Sequence, residues 1–178
     1  MLLCVDVGNS HTVSGVFKGN QILQRWRLKS DRNRTIDELA IRYHSLFQMS
    51  NLSFGDITGF IVAGVVPTLE TSWLGFAEQY LAPALQSEPL VVTHETDTGI
   101  AILIDNPKEV GADRIVNAVA AHDRFHNDLI VIDFGTAITF DCVTRNKEYR
   151  GGVIMPGIAI SLDALASRTA KLPRVDIN

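Results

Sequence analysis

Leu2-Leu3-Cys4-Val5-Asp6-Val7-Gly8-Asn9-Ser10-His11-Thr12 is a short apolar strand that delivers a carboxylate, Asp6, to the point where the chain turns. Gly8 lets backbone N–H groups approach an anion at that turn, and the Asn9 amide and the Ser10 and Thr12 hydroxyls follow close behind. The pattern returns at Leu129-Ile130-Val131-Ile132-Asp133-Phe134-Gly135-Thr136. A carboxylate beside a phosphate is repulsive unless a cation lies between them. Two such loops suggest a nucleoside triphosphate with a metal ion, held between two related half-domains.

Around the first loop, residues 2–7, 12–18 and 21–28 read as three strands, with Gly19-Asn20 as a hairpin turn between the second and third. A helix follows over 36–49, where Ile36, Leu39, Ala40, Tyr43, Leu46 and Phe47 form an apolar stripe. Thr35 with Glu38 spells a capping box at its start. Residues 57–63 return to strand, and Val65-Val66-Pro67 ends it, because a residue before proline avoids the helical region. A second helix is expected over 68–81, and strands at 90–93 and 100–104 complete the first half.

The second half opens with a helix over 112–125, then strands at 129–134, 137–143 and 148–155, and a helix over 157–168. Carboxylate-ended strand, hydroxyl-bearing loop, strand, turn, strand and helix repeat the order of residues 2–49. Two such βββα cores facing each other would bring both Asp-Gly turns to one cleft. The expected domains are 1–110 and 111–178. The first continues through strand, helix and strand, whereas the second stops at Pro173-Arg174-Val175-Asp176-Ile177-Asn178, so its C-terminal part is expected to be missing from this chain.

Composition narrows the class. The 178 residues are 46% apolar and 20% charged, the balance of a folded globular protein. A net charge of −4 and the lack of any Lys/Arg run argue against a nucleic-acid partner. The densest basic stretch, residues 25–34, is broken by Trp26, Leu28 and Asp31 and reads as a solvated strand edge and loop. Cys4 and Cys142 lie in apolar strand patterns and read as buried, reduced thiols. With no basic leader, no bilayer-length apolar run and no metal-ligand spacing among the histidines, a cytoplasmic protein without a membrane partner is expected.

Asp6 and Asp133 are the first candidates for chemistry. One Asp-Gly turn alone would be ordinary punctuation; two in matching positions favour cation ligation beside phosphates. Asn9, Ser10, Thr12 and Thr136 could donate to phosphate oxygens, while His11 reads as a tolerated turn residue. Asp133-Phe134-Gly135 also spells a protein-kinase tripeptide, but no HRD-type loop precedes it. In Gly111-Ala112-Asp113-Arg114, an acid in a first helical turn is unexceptional, whereas a cation there opposes the helix dipole. Arg114 could bind a substrate carboxylate and Asp113 could take a proton from a hydroxyl, and spacing alone leaves that reading level with an ordinary helix start. Gly151-Gly152 and Pro156-Gly157 read as glycines opening and closing a strand, adequate as hairpin punctuation.

Taken together, these residues resemble the type III pantothenate kinases of the actin/Hsp70/sugar-kinase ATPase superfamily. The resemblance runs the length of the chain. It rests on Asp6-Val7-Gly8-Asn9-Ser10, Asn106-Pro107 with Gly111-Ala112-Asp113-Arg114, Asp133-Phe134-Gly135-Thr136, and Gly151-Gly152 with Pro156-Gly157. It implies an α/β fold of two RNase H-like (actin-like ATPase) domains with mixed βββαβαβ sheets, in a homodimer. It implies that Asp6, Val7, Gly8, Asn9, Ser10, His11, Thr12 and Val13 form the first phosphate loop, with Asp6 near Mg²⁺, directly or through water. It implies that Gly135 and Thr136 contact ATP, and that Asp133 holds a monovalent cation, K⁺ or NH₄⁺. Gly111, Ala112, Asp113 and Arg114 would contact pantothenate, Asp113 as general base and Arg114 on its carboxylate. The implied reaction is phosphorylation of pantothenate by ATP, the first step toward coenzyme A. Ile104 departs from the family, many members of which carry an aromatic residue there.

Two other readings stay in view. One is another small-molecule kinase of the superfamily, such as a sugar or acetate kinase, against which Gly111-Ala112-Asp113-Arg114 argues. The other is a non-catalytic nucleotide-binding regulator resembling an accessory transcription factor, which would have no need of Asp113.

Overall fold

The structure is a computed structural model that describes residues 1–169 and Pro173; residues 174–178, read above as part of the close of the second half, lie outside the described residues. The chain divides into two compact units. Unit 1 comprises residues 1–96 and 110–116, and unit 2 comprises 97–109 and 117–178.

Unit 1 runs β1 (Leu2–Val7), β2 (His11–Lys18), β3 (Gln21–Lys29), α1 (Ile36–Met49), β4 (Gly59–Gly64), α2 (Pro67–Phe76) and β5 (Leu90–Val91), the expected βββαβαβ order. Its sheet has the order β3-β2-β1-β4-β5. β1 is antiparallel to β2 and parallel to β4, so the sheet is mixed. Thr35 caps α1 as the sequence predicts, with Glu38 reaching back to the Thr35 N–H at 2.9 Å. Pro67 is itself the first residue of α2, where its missing N–H costs nothing. After Phe76 the helix widens into one π-helical turn over Ala77–Leu81.

The core of unit 1 lies where α1 and α2 meet one face of this sheet. Leu3, Val5 and Val7 alternate inward along β1 and pack with Val62, Leu39, Phe47, Trp73 and Phe76. Tyr43 sits at the centre, edge-on to Trp73 at a centroid separation of 4.7 Å. Its hydroxyl lies 2.8 Å from Ser14 Oγ, so the one polar atom that α1 pushes into this core is satisfied by β2.

Unit 2 contains β6 (Ala101–Ile102), β7 (Leu129–Phe134), β8 (Ala137–Thr144), β9 (Glu148–Pro156) and α4 (Ile158–Arg168). Its sheet order is β6-β9-β8-β7. The strand predicted near 100–104 therefore joins the second sheet rather than completing the first. It runs parallel to β9, tied by Ala101 N–H to Lys147 O at 2.8 Å and Leu103 N–H to Tyr149 O at 2.9 Å. Helix α3 (Ala112–Phe125) begins in unit 1 and ends in unit 2.

Two further expectations differ from the structure. Gly151 and Gly152 do not open a strand: β9 starts at Glu148, and the glycines sit inside it at a bulge where Arg150 and Gly151 of β9 oppose the single residue Cys142 of β8. Gly151 has φ +101°, which a side chain would resist. Cys142 is exposed rather than buried. It pairs with Ile130, on the sheet face that also carries Ile132, Phe134, Val153 and Met155, all exposed, whereas its neighbours Asp141 and Val143 point inward. The alternation that buries those two turns Cys142 outward. No helix among the described residues is long and apolar enough to cross a membrane.

Candidate active site

In unit 1 the candidate phosphate loop joins β1 to β2. Asp6 and Val7 pair with Val13 and Thr12, and Gly8 N–H donates to His11 O at 3.1 Å, which draws Gly8-Asn9-Ser10 into a tight turn. Asp6 is exposed and Thr12 is buried. The segment after β3 braces this turn. Ser30 Oγ donates to Gly8 O at 2.6 Å, Ser30 N–H donates to Ser10 O at 3.0 Å, and the Ser30 and Thr12 hydroxyls lie 3.0 Å apart. Arg32 donates to Asn9 Oδ1 at 2.6 Å, and the Arg27 guanidinium lies 3.2 Å from His11 Nδ1. A turn held by this many contacts is organised before any ligand arrives, which lowers the entropy lost on binding.

The parallel strands β1 and β4 end side by side at Val7 and Gly64. Ligands of open α/β sheets bind beyond such carboxyl ends. Val65 N–H continues the pairing to Val7 O at 3.1 Å, and a Cβ placed on Gly111 would lie 3.4 Å from Val65 Cγ1. The Gly111–Arg114 stretch is thus adjacent to the base of the first loop, so unit 1 brings two of the candidate groups together. The same Cβ would lie 2.5 Å from Asp113 Oδ1, so glycine leaves the space into which that carboxylate folds. Asp113 Oδ1 accepts the Arg114 N–H at 2.8 Å, and Ala112 is buried beneath.

Glu70, in the first turn of α2, comes up against Gly64 at this strand end: a Cβ there would be 2.9 Å from Glu70 Oε2. Burial pushes its carboxyl above the ordinary value.

In unit 2, Asp133 is the penultimate residue of β7 and is exposed. Asn117 Nδ2 donates to Asp133 Oδ2 at 3.1 Å, which fixes the carboxylate from α3. Gly135 N–H donates to Ala137 O at 2.9 Å, closing a turn shorter than the first. Pro156-Gly157 has a role beyond punctuation, since Gly157 is both the N-cap of α4 and a donor to Thr136 O at 3.0 Å.

Ser30, Arg32, Glu70 and Asn117 escape a motif reading. All four lie on other elements than the groups they meet, and nothing in local spacing announces Ser30, Arg32 or Glu70. Asn117 alone carries a signal, since it follows Asp113 by one helical turn and so shares its face of α3.

Among the described residues, no group of three or more His, Cys, Asp or Glu is placed to hold a metal through protein ligands alone. Mg²⁺ does not require such a cage when phosphates complete its shell. The donor chemistry fits: Asp6 offers a hard oxygen beside the first turn, and Asp133 offers one that Asn117 holds in place.

A family model described as type III pantothenate kinase matches residues 2–178. A protein of Desulfotalea psychrophila named type III pantothenate kinase is 54% identical over 179 residues, which cover 99% of this chain and 67% of that protein. One of Geotalea daltonii with the same name is 47% identical over 177 residues, covering 99% of this chain and 68% of its own. Among solved structures, the ethanolamine utilization protein EutJ from Carboxydothermus hydrogenoformans superposes with a TM-score of 0.54 at 14% identity, over 93% of this chain and 56% of that one. At that identity the likeness is one of fold, and it agrees with the mixed α/β architecture.

Proposed function

The chain belongs to the type III pantothenate kinase family, and on that premise we propose that it phosphorylates pantothenate with ATP, giving 4′-phosphopantothenate for coenzyme A synthesis. Residues 6–13 hold the phosphates, with Asp6 toward Mg²⁺, and Gly135 and Thr136 make the second ATP contact. Asp113 takes the proton from the pantothenate hydroxyl as that oxygen attacks the γ-phosphorus, the bond to the β,γ-bridging oxygen breaks and ADP leaves, while the Arg114 guanidinium holds the pantothenate carboxylate. Asp133 holds a monovalent cation, K⁺ or NH₄⁺. When bound, Mg²⁺ neutralises charge building on the transferred phosphoryl group. Gly111 and Ala112 provide the close backbone that sets Asp113 and Arg114 in place. The working form is a cytoplasmic homodimer.

One observation carries this reading: Val65 hydrogen-bonds the end of the loop strand and packs against Gly111, so a phosphate-loop candidate and a base candidate share one wall of unit 1. Relatives at 47% and 54% identity are named as kinases, which favours catalysis over the regulatory alternative. The test is mass-spectrometric detection of 4′-phosphopantothenate after incubating the chain with ATP, Mg²⁺, K⁺ and pantothenate. The expected result is product that depends on all four. A folded chain that turns over a sugar or acetate instead would replace pantothenate as substrate.

A further inference from the structure

The first loop carries a carboxylate and neutral donors but no cation. Residues 1–17 contain neither Lys nor Arg, and Lys18 lies at the far end of β2. A nucleoside triphosphate brings about four negative charges, and Mg²⁺ offsets only part of them. Positive charge must reach this turn from elsewhere in the fold.

The segment after β3 supplies it. Ser30 ties that segment to the turn through Gly8 O and Ser10 O. Two residues on, Arg32 donates to Asn9 Oδ1 at 2.6 Å, at the tip of the turn. The guanidinium is exposed, its partner is a neutral amide oxygen, and its backbone is fixed relative to the loop by Ser30. A phosphate oxygen replacing Asn9 Oδ1 would exchange a neutral acceptor for an anionic one, adding the attraction of opposite charges to a hydrogen bond the guanidinium already makes.

The geometry points to Arg32 as a phosphate clamp: a guanidinium resting on Asn9 that transfers to the phosphate chain of a nucleotide bound at the first loop. Ser30 is the positioning residue that keeps Arg32 within reach. This rests on the nucleotide-binding part of the reading above and adds a residue outside residues 6–13. The stretch 25–34, read from sequence as a solvated edge and loop, then has a function at its C-terminal end.

The experiment is titration of the chain with AMP, ADP and the non-hydrolysable ATP analogue AMP-PNP, each with Mg²⁺, for the wild type, Arg32→Ala, Arg32→Gln, Arg32→Lys and Arg25→Ala. Arg25 lies on β3 opposite Gly15, away from the turn, and controls for loss of general positive charge. Far-UV circular dichroism verifies that each variant folds. Arg32→Ala and Arg32→Gln should weaken AMP-PNP about tenfold, ADP less and AMP less than twofold, with partial recovery in Arg32→Lys and no change in Arg25→Ala. A loss that does not grow with the number of phosphates, or no loss in either neutral variant, overturns the clamp while leaving the kinase reading intact. Failure of the wild type to bind any of the three overturns both.

Discussion

Gly157 donates its N–H to the carbonyl of Thr136 at 3.0 Å, and a Cβ on Gly157 would collide with that same oxygen and with the carbonyl of Gly135. The start of α4 and the turn after β7 are therefore locked backbone to backbone. Gly157→Ala must push one of them away. Because both partners are main chain, no side chain can yield to relieve the contact, and overpacking of this kind costs about 1–3 kcal/mol. The expected outcome is a lower urea midpoint together with a raised KM for ATP. Unchanged values for both would show that the lock does not matter.

Asp113→Asn keeps the size of the side chain and removes its basicity. If Asp113 is the general base, kcat should fall by about 10²–10⁴ while thermal stability holds. Steady-state kinetics with the product detected by mass decides the matter, and an unchanged kcat removes Asp113 from that role.

The Tyr43 hydroxyl gives the unit 1 core a definite pH limit. Burial pushes its pKa from 10.0 up to about 12, with smaller opposing effects from the Ser14 hydrogen bond and the Arg34 charge. The folded state thus holds this proton more tightly than the unfolded state. Its contribution is full below about pH 10 and is lost between pH 10 and 12, on the order of 3 kcal/mol in all. Chemical denaturation across that range should show the fall, and Tyr43→Phe should flatten it. The variant should also lose roughly 1 kcal/mol at neutral pH, where Ser14 is left buried without this partner.

The two cysteines should react at very different rates. Cys4 is half-buried, and burial raises its pKa to about 11, so at pH 8 only about one thiol in a thousand is the nucleophilic thiolate. Cys142 is exposed. Iodoacetamide followed by peptide mass mapping should label Cys142 first and leave Cys4 unmodified until the chain unfolds. Equal labelling would contradict the burial of Cys4.

Most of unit 1 can be read from sequence because its signals are local. Thr35 and Glu38 are three residues apart, Gly19-Asn20 is a self-contained turn, and the stripe from Leu39 to Phe47 has helical period. The sheet partner of β6 could not be read this way, because a two-residue strand has no periodicity of its own and its partner lies over 40 positions away. Cys142 misled for a related reason. An apolar strand suggests burial on both faces, and only the three-dimensional neighbours decide which face is covered. At the candidate site, Asp6, Gly111 and Asp133 announce themselves by spacing, while Ser30, Arg32, Glu70 and Asn117 are brought in by topology.

The chain visits unit 1, then unit 2 for residues 97–109, then unit 1 again for 110–116, before committing to unit 2. Val110, Ala112 and Ile115 in the returning stretch are buried. During synthesis from the N-terminus, unit 1 cannot be completed when Thr96 emerges; it waits for a strand of the other unit to pass first. The two units are stitched rather than strung: any single piece that carries all of unit 1 also carries part of unit 2, and any that carries all of unit 2 also carries part of unit 1. Split-protein complementation is the natural way to study them apart, with a break inside 97–109 and both pieces supplied together.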